Sequence, residues 1–242
     1  MRKNIFIMSN KGGVGKTTIA VNLAFLLSQK YNVGLLDADV HGPNAPKMSG
    51  IGRKKLKIVG DKIIPVKVNN NFWMMSIAFL TERESQPIIW RGPLKTKLIN
   101  QFITDVKWPN LDFLIVDLPP GTGDETITIM QLLKENSKAI IVSMPQEVSL
   151  MDAEKVINMS KKFRISMAGL IENMSGEIFG KGTVEKFAKN NKINFLGKID
   201  LDKVIVDSSN TGKPFILDKY TNAYSQFNNI AKKIVNVNKN LK

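Results

Sequence analysis

The sequence has no cysteine and only one histidine, His41, among its 242 residues. Disulfides and thiolate metal sites are therefore excluded, and a lone imidazole does not make a metal centre; His41 reads as a loop residue near the nucleotide. Acidic side chains are also scarce, with 21 Asp and Glu against 35 Lys and Arg, a formal charge of +14 at pH 7. Such an imbalance attracts polyanions at long range. The basic residues, however, are spread along the chain (Arg53-Lys54-Lys55, Lys161-Lys162, Lys232-Lys233) rather than massed, so no dedicated nucleic-acid surface is expected. No apolar run approaches the roughly 18–20 residues that span a bilayer. Met1-Arg2-Lys3 leads straight into the strand-like Ile5-Phe6-Ile7-Met8 without a cleavage-type signal. A cytoplasmic address is the expectation, and a membrane partner is not.

What is present is ordinary for a globular chain: 43% hydrophobic residues, too many for a largely disordered protein. Apolar runs of strand length at 4–9, 33–38, 112–117, 138–143, 166–172 and 193–197 alternate with helix-period stretches. Those stretches fall at about 16–30, 93–106, 125–135, 149–163, 182–190 and 219–238. Phe113-Leu114-Ile115-Val116 is apolar at consecutive positions, as suits a strand covered on both faces. The alternation predicts an α/β fold: a doubly wound, mostly parallel sheet with helices on both faces, in one domain over 1–242. Residues 50–80 break the pattern, because Leu56–Val59 and Ile63–Val66 flank Gly60-Asp61-Lys62 and predict a small hairpin insertion.

Between the first strand and first helix, residues 10–18 read Asn-Lys-Gly-Gly-Val-Gly-Lys-Thr-Thr. Glycines let the backbone turn tightly and aim successive N–H groups at an anion, and the helix behind them adds a partial positive charge. Gly12, Gly13, Val14, Gly15, Lys16, Thr17 and Thr18 are thus the expected cradle for nucleotide phosphates. In such a loop Lys16 reaches the β- and γ-phosphates and Thr17 ligates Mg²⁺. A dinucleotide fingerprint fails here, since its third glycine would fall at Thr18.

A magnesium nucleotide site also needs carboxylates, and in open α/β sheets these belong at the carboxyl ends of strands. Two strands end that way, one in Asp37-Ala38-Asp39 and the other in Asp117-Leu118-Pro119-Pro120-Gly121-Thr122-Gly123-Asp124. Asp117 behaves as a Walker B aspartate, and Gly121 as a residue whose N–H could sense the γ-phosphate.

Several segments carry a family resemblance. Asn10 replaces the first glycine of the ordinary loop, and Lys11 follows it, so the loop resembles the deviant Walker A motif of the MinD, ParA and Mrp ATPases. "DADVHGPN" (37–44), "WRGP" (90–93), "LIVDLPPGTGDET" (114–126), "ENMSG" (172–176) and "TGKPF" (211–215) resemble the Mrp/ApbC-type branch, in order along nearly the whole chain. The resemblance implies a slow Mg²⁺-dependent ATPase that dimerises with ATP, with Lys11 reaching across the interface into the partner's nucleotide. It implies that Asp39 positions the hydrolytic water, that Thr17, Asp39 and Asp117 serve the metal, and that Asn173 contacts the adenine. It further implies carriage of iron–sulfur clusters to apoproteins.

On that last point the sequence departs from the family, which usually places a Cys-x-x-Cys pair shortly after "ENMSG". Here Ser175-Gly176 runs directly into Glu177-Ile178-Phe179-Gly180-Lys181-Gly182. A cluster needs thiolates or at least imidazoles, so an iron–sulfur cluster on this chain's own ligands is not expected. The expected partners are an iron–sulfur apoprotein or a cluster-assembly protein. A second reading is a MinD/ParA-like positioning switch on membrane or DNA. Its carrier would be the C-terminal apolar stripe of Tyr224, Phe227, Ile230, Ala231, Ile234 and Val235 beside Lys232, Lys233 and Lys239. A last helix packed on the sheet is the expectation for that stripe.

Overall fold

A computed structural model describes residues 2–40, 42–52, 54–80 and 92–239. Its ten strands are β1 (Lys3–Met8), β2 (Val33–Asp37), β3 (Lys57–Val59), β4 (Lys62–Ile64), β5 (Val66–Asn69), β6 (Phe72–Ser76), β7 (Phe113–Asp117), β8 (Ser137–Ser143), β9 (Ser166–Ser175) and β10 (Phe195–Asp200). The helices are α1 (Lys16–Leu27), α2 (Ala45–Met48), α3 (Gly92–Thr104), α4 (Asp124–Leu132), α5 (Glu147–Lys162), α6 (Thr183–Asn190), α7 (Lys203–Thr211) and α8 (Asn222–Lys239). Eight strands form one sheet in the order β10-β9-β8-β1-β7-β2-β6-β5, all pairings parallel except β5 with β6. The phosphate-loop strand β1 therefore lies inside the sheet, and every residue of β2 and β7 is buried. Helices pack on both faces: α1 with α2 and α8, α3 with α4, and α5 with α6.

The hairpin is smaller than the sequence suggests. Only β3 and β4 make the separate two-stranded piece, turning at Gly60-Asp61, whereas Val66 opens β5 in the main sheet. β6 was hidden because its apolar run, Phe72-Trp73-Met74-Met75, emerges directly from Asn69-Asn70-Asn71 with no alternation. The helix α7 was also absent from the sequence reading. His41 and Trp90-Arg91 of the "WRGP" segment lie outside the described residues.

The C-terminal stripe faces inward, as the packing alternative requires. Phe227, Ile230, Ala231 and Ile234 are buried, and the Phe227 ring meets Phe215 edge-on with centroids 5.5 Å apart. The helix approaches β10 so closely that a Cβ on Gly197 would lie 2.7 Å from Cγ1 of Ile230. Among the described residues no helix is long and apolar enough to cross a membrane. Truncating a buried aromatic costs about 3–5 kcal/mol. Phe227→Ala should therefore lower the unfolding free energy by about that amount in a urea titration; a loss below ~1 kcal/mol would return α8 to the surface.

Candidate functional site

The carboxyl ends of β1, β2, β7, β9 and β10 converge along one edge of the sheet, because parallel strands all deliver their ends to the same side. After Met8 the chain turns through 9–15 and enters α1 at Lys16. Gly15 caps that helix at a left-handed φ of 91°, and a Cβ there would fall 2.2 Å from Nδ2 of Asn173. A side chain is excluded twice, by backbone geometry and by contact. Asn173, near the end of β9, donates from Nδ2 to the Val14 carbonyl at 2.8 Å. The loop is thus pinned by a strand two positions away in the sheet. Beside Asn173 lies a cavity of about 200 Å³, walled by Thr18, Met174, Leu201, Asp202, Ile205 and Ser209 among others.

Lys16 is only 6% exposed. Burial lowers its pKa, while the negative charges of Asp117 and Asp39 oppose that fall. The Thr17 hydroxyl donates to Oδ2 of Asp117 at 2.5 Å, and Oδ1 of Asp117 has no hydrogen-bond partner among the described residues. Burial pushes the Asp117 carboxyl up to about 7, against the hydrogen bond from Thr17 and the charge of Lys16. Asp37 lies beside Asp117 in register and is raised well above the usual carboxylate range, first by burial and then by that neighbouring charge. Asp39 is half-buried and accepts the Gly42 N–H at 3.2 Å.

The structure thus brings Lys16, Thr17, Asp39 and Asp117 together. Lys11 sits apart, exposed at the loop entrance. Its carbonyl accepts the Ser9 hydroxyl at 2.7 Å. The neighbouring Asn10 donates from its side-chain amide to Oδ1 of Asp152 on α5 at 2.7 Å. That tether across 142 positions left no local signal in the sequence. Gly121 donates its N–H to the Ser9 carbonyl at 3.0 Å, so a phosphate would have to draw that N–H away from the loop strand. The cavity-lining residues of α7 were also missed, although a signal was present. Asp202 caps the helix by accepting the Val204 N–H at 2.9 Å, and Gly212 ends it in a left-handed conformation.

The available donors are a hydroxyl and carboxylate oxygens, the hard set that suits Mg²⁺. Among the described residues no group of three or more His, Cys, Asp or Glu is placed to hold a metal unaided. That fits an ion bound through one or two carboxylates together with substrate phosphates. It does not fit an iron–sulfur cluster, for which no thiolate exists.

A family model described as ParA, NUBPL iron-transfer P-loop NTPase, matches residues 1–235. An iron–sulfur cluster carrier protein of Methanocaldococcus jannaschii is 44% identical over 246 residues, 97% of this chain and 84% of that protein. Among solved structures, a nucleotide-binding protein of Archaeoglobus fulgidus in complex with ADP superposes with a TM-score of 0.78 at 34% identity, covering 93% of this chain and 91% of that one. The septum site-determining protein MinD of Pyrococcus horikoshii, complexed with Mg-ADP, matches in fold with a TM-score of 0.77 at 21% identity, covering 97% and 96%. With matches of this kind along nearly its whole length, the chain belongs to the NUBPL-type iron-transfer P-loop NTPases of the ParA family, home of the iron–sulfur cluster carriers.

Proposed function

We propose that this chain is a slow, Mg²⁺-dependent, cytoplasmic ATPase that dimerises around ATP and serves iron–sulfur cluster assembly through partners that supply the thiolates. The observation that carries the reading is the buried Lys16 set against Asp117 and Thr17 beneath a loop of N–H groups. A phosphate chain would lie over residues 12–17, with Lys16 facing its β- and γ-oxygens. Thr17 and Asp117 would hold Mg²⁺, which when bound neutralises charge developing on the phosphates. Asp39 would orient the water that attacks the γ-phosphorus, and the same residue would face the ion. Asn173 and the adjoining cavity would receive the base. The Archaeoglobus relative in complex with ADP supports nucleotide occupancy of this edge. The positioning-switch reading is weaker, because MinD likeness at 21% identity carries the fold alone and the stripe that would reach a membrane is buried.

Metal binding requires the Asp117 carboxylate ionised, and its pKa of about 7 puts protons in competition with Mg²⁺ near neutrality. The sign follows: lowering pH through 7 protonates Asp117 and weakens Mg²⁺·ATP. Affinity measured with a fluorescent ATP analogue should fall about tenfold between pH 8 and pH 6 with Mg²⁺ present. Asp117→Asn should lose most of that dependence. A wild-type affinity flat with pH would remove Asp117 from the metal.

Iron–sulfur content offers an independent check. Anaerobic reconstitution of the purified protein with iron and sulfide should leave no stoichiometric cluster. A stable charge-transfer spectrum with matching iron would overturn the requirement for a partner's thiolates.

If Lys11 acts in trans, charge building on the transferred phosphate is stabilised by a group that the monomer lacks, as an arginine finger does. Lys11→Ala should keep ATP binding and lose turnover, whereas Lys16→Ala should lose binding. Mixed one to one, the two inactive variants should recover activity. Half the dimers are then mixed with one competent site each, giving about a quarter of wild-type activity. Absence of recovery despite demonstrated heterodimers would place Lys11 in its own subunit's site.

A further inference from the structure

Asp37 takes no part in the chemistry above, yet none of it reaches solvent. Its Oδ2 accepts the Ser76 hydroxyl at 2.8 Å and the Ala45 N–H at 3.3 Å. Its Oδ1 accepts the Asp39 N–H at 3.3 Å. These donors belong to three different places. Asp39 stands at the start of the loop that leaves β2, Ala45 closes that loop as the first residue of α2, and Ser76 ends the neighbouring strand β6. The Ser76 hydroxyl in turn accepts the Ala78 N–H at 3.1 Å, carrying the connection into the short 3₁₀ turn of Ile77–Leu80.

A carboxyl group buried beside Asp117 and met only by neutral donors is costly to hold there, and an apolar side chain would fill the volume more cheaply. Packing therefore does not account for an acid at this position. Geometry does, because two oxygens on one side chain reach both ends of the 38–45 loop at once. Closing a loop in this way removes conformational freedom that would otherwise blur the position of its functional residue. Asp39 is that residue, and its own carboxylate is already turned onto Gly42 within the loop.

We infer that Asp37 is a positioning residue: it clasps both ends of the 38–45 loop and ties them to Ser76, so that Asp39 is held where a water must be oriented. The inference rests on the proposed role of Asp39, and Asp37 acts through it without touching nucleotide or metal. Ser76 belongs to the same device, although no motif in the sequence marks it.

Two variants separate this role from its rivals. Asp37→Asn replaces one accepting oxygen with a donor. Ser76→Ala removes one arm of the clasp and leaves every carboxylate in place. A loop shifted by about 1 Å costs up to roughly a hundredfold in rate. Asp37→Asn should thus lose about tenfold or more in kcat, and Ser76→Ala several-fold. The Kd for ATP and the Mg²⁺ concentration giving half-maximal rate should stay within about twofold in both. Amide hydrogen exchange at Asp39 and Ala45 should quicken at least about tenfold in both variants, with α1 unaffected. A raised Mg²⁺ requirement in Asp37→Asn, with Ser76→Ala silent, would make Asp37 a metal ligand instead. Unchanged turnover and exchange in both would remove the clasp altogether. Should the wild-type protein fail to hydrolyse ATP, the ATPase reading falls, and the exchange measurement still decides the clasp. Ser76→Ala decides it alone if Asp37→Asn does not fold.

Discussion

Lys16, Asp37 and Asp117 are withdrawn from water within one small volume where β1, β2 and β7 end. Charges are held there only because the sheet is parallel and covered on both faces, which delivers strand ends to a single edge and denies them solvent. The arrangement is unbalanced, with one ammonium facing two fully buried carboxyls and a half-buried third at Asp39. Both buried acids respond by holding protons more tightly than they would in water. A divalent cation arriving with a phosphate chain would restore balance, because the cation meets the acids and the loop N–H groups meet the phosphates. The glycines, the buried lysine and the helix start at Lys16 are all consequences of making that edge receptive to anions.

The parts of this design that are local were legible in the sequence. β1, β2, β7 and β8 announced themselves as consecutive apolar runs, because burial on both faces leaves no polar alternation. The phosphate loop was legible because its turn needs glycine at fixed spacings. Lys16, Thr17 and Asp117 could be named since each stands at an element end that the pattern locates. What stayed hidden is non-local. Nothing near Asn10 points to Asp152, and nothing near Val14 points to Asn173, because such pairs exist only once distant strands are side by side. α7 was passed over because its apolar residues are few and half-exposed, Val204 at 38% and Val206 at 49%, so burial imposed no strong period on it.

The Asn173–Val14 hydrogen bond has an energetic meaning beyond placement. It joins the strand that walls the base-side cavity to the loop that would take the phosphates. Two subsites sharing one structural tie are coupled, so occupying one alters the freedom of the other. Met174, the next residue, has a positive φ of 56°, a conformation unusual for a non-glycine side chain and retained here between Asn173 and Ser175.

Directly beyond that strand, Gly176 and Gly180 exchange reciprocal N–H···O=C hydrogen bonds of 2.9 and 2.8 Å. The turn is sewn down further by the buried Glu172 carboxylate, which accepts from the Ser175 hydroxyl and from the N–H groups of Gly182 and Val184. A chain so short and so fully hydrogen-bonded has no slack with which to aim two sulfur atoms at a shared iron. Exchanging two letters for cysteine would break the stitches before it built a binding loop. Between this chain and its cluster-carrying relatives, then, the step is one of inserted length, and descent or engineering in either direction has to add or delete backbone.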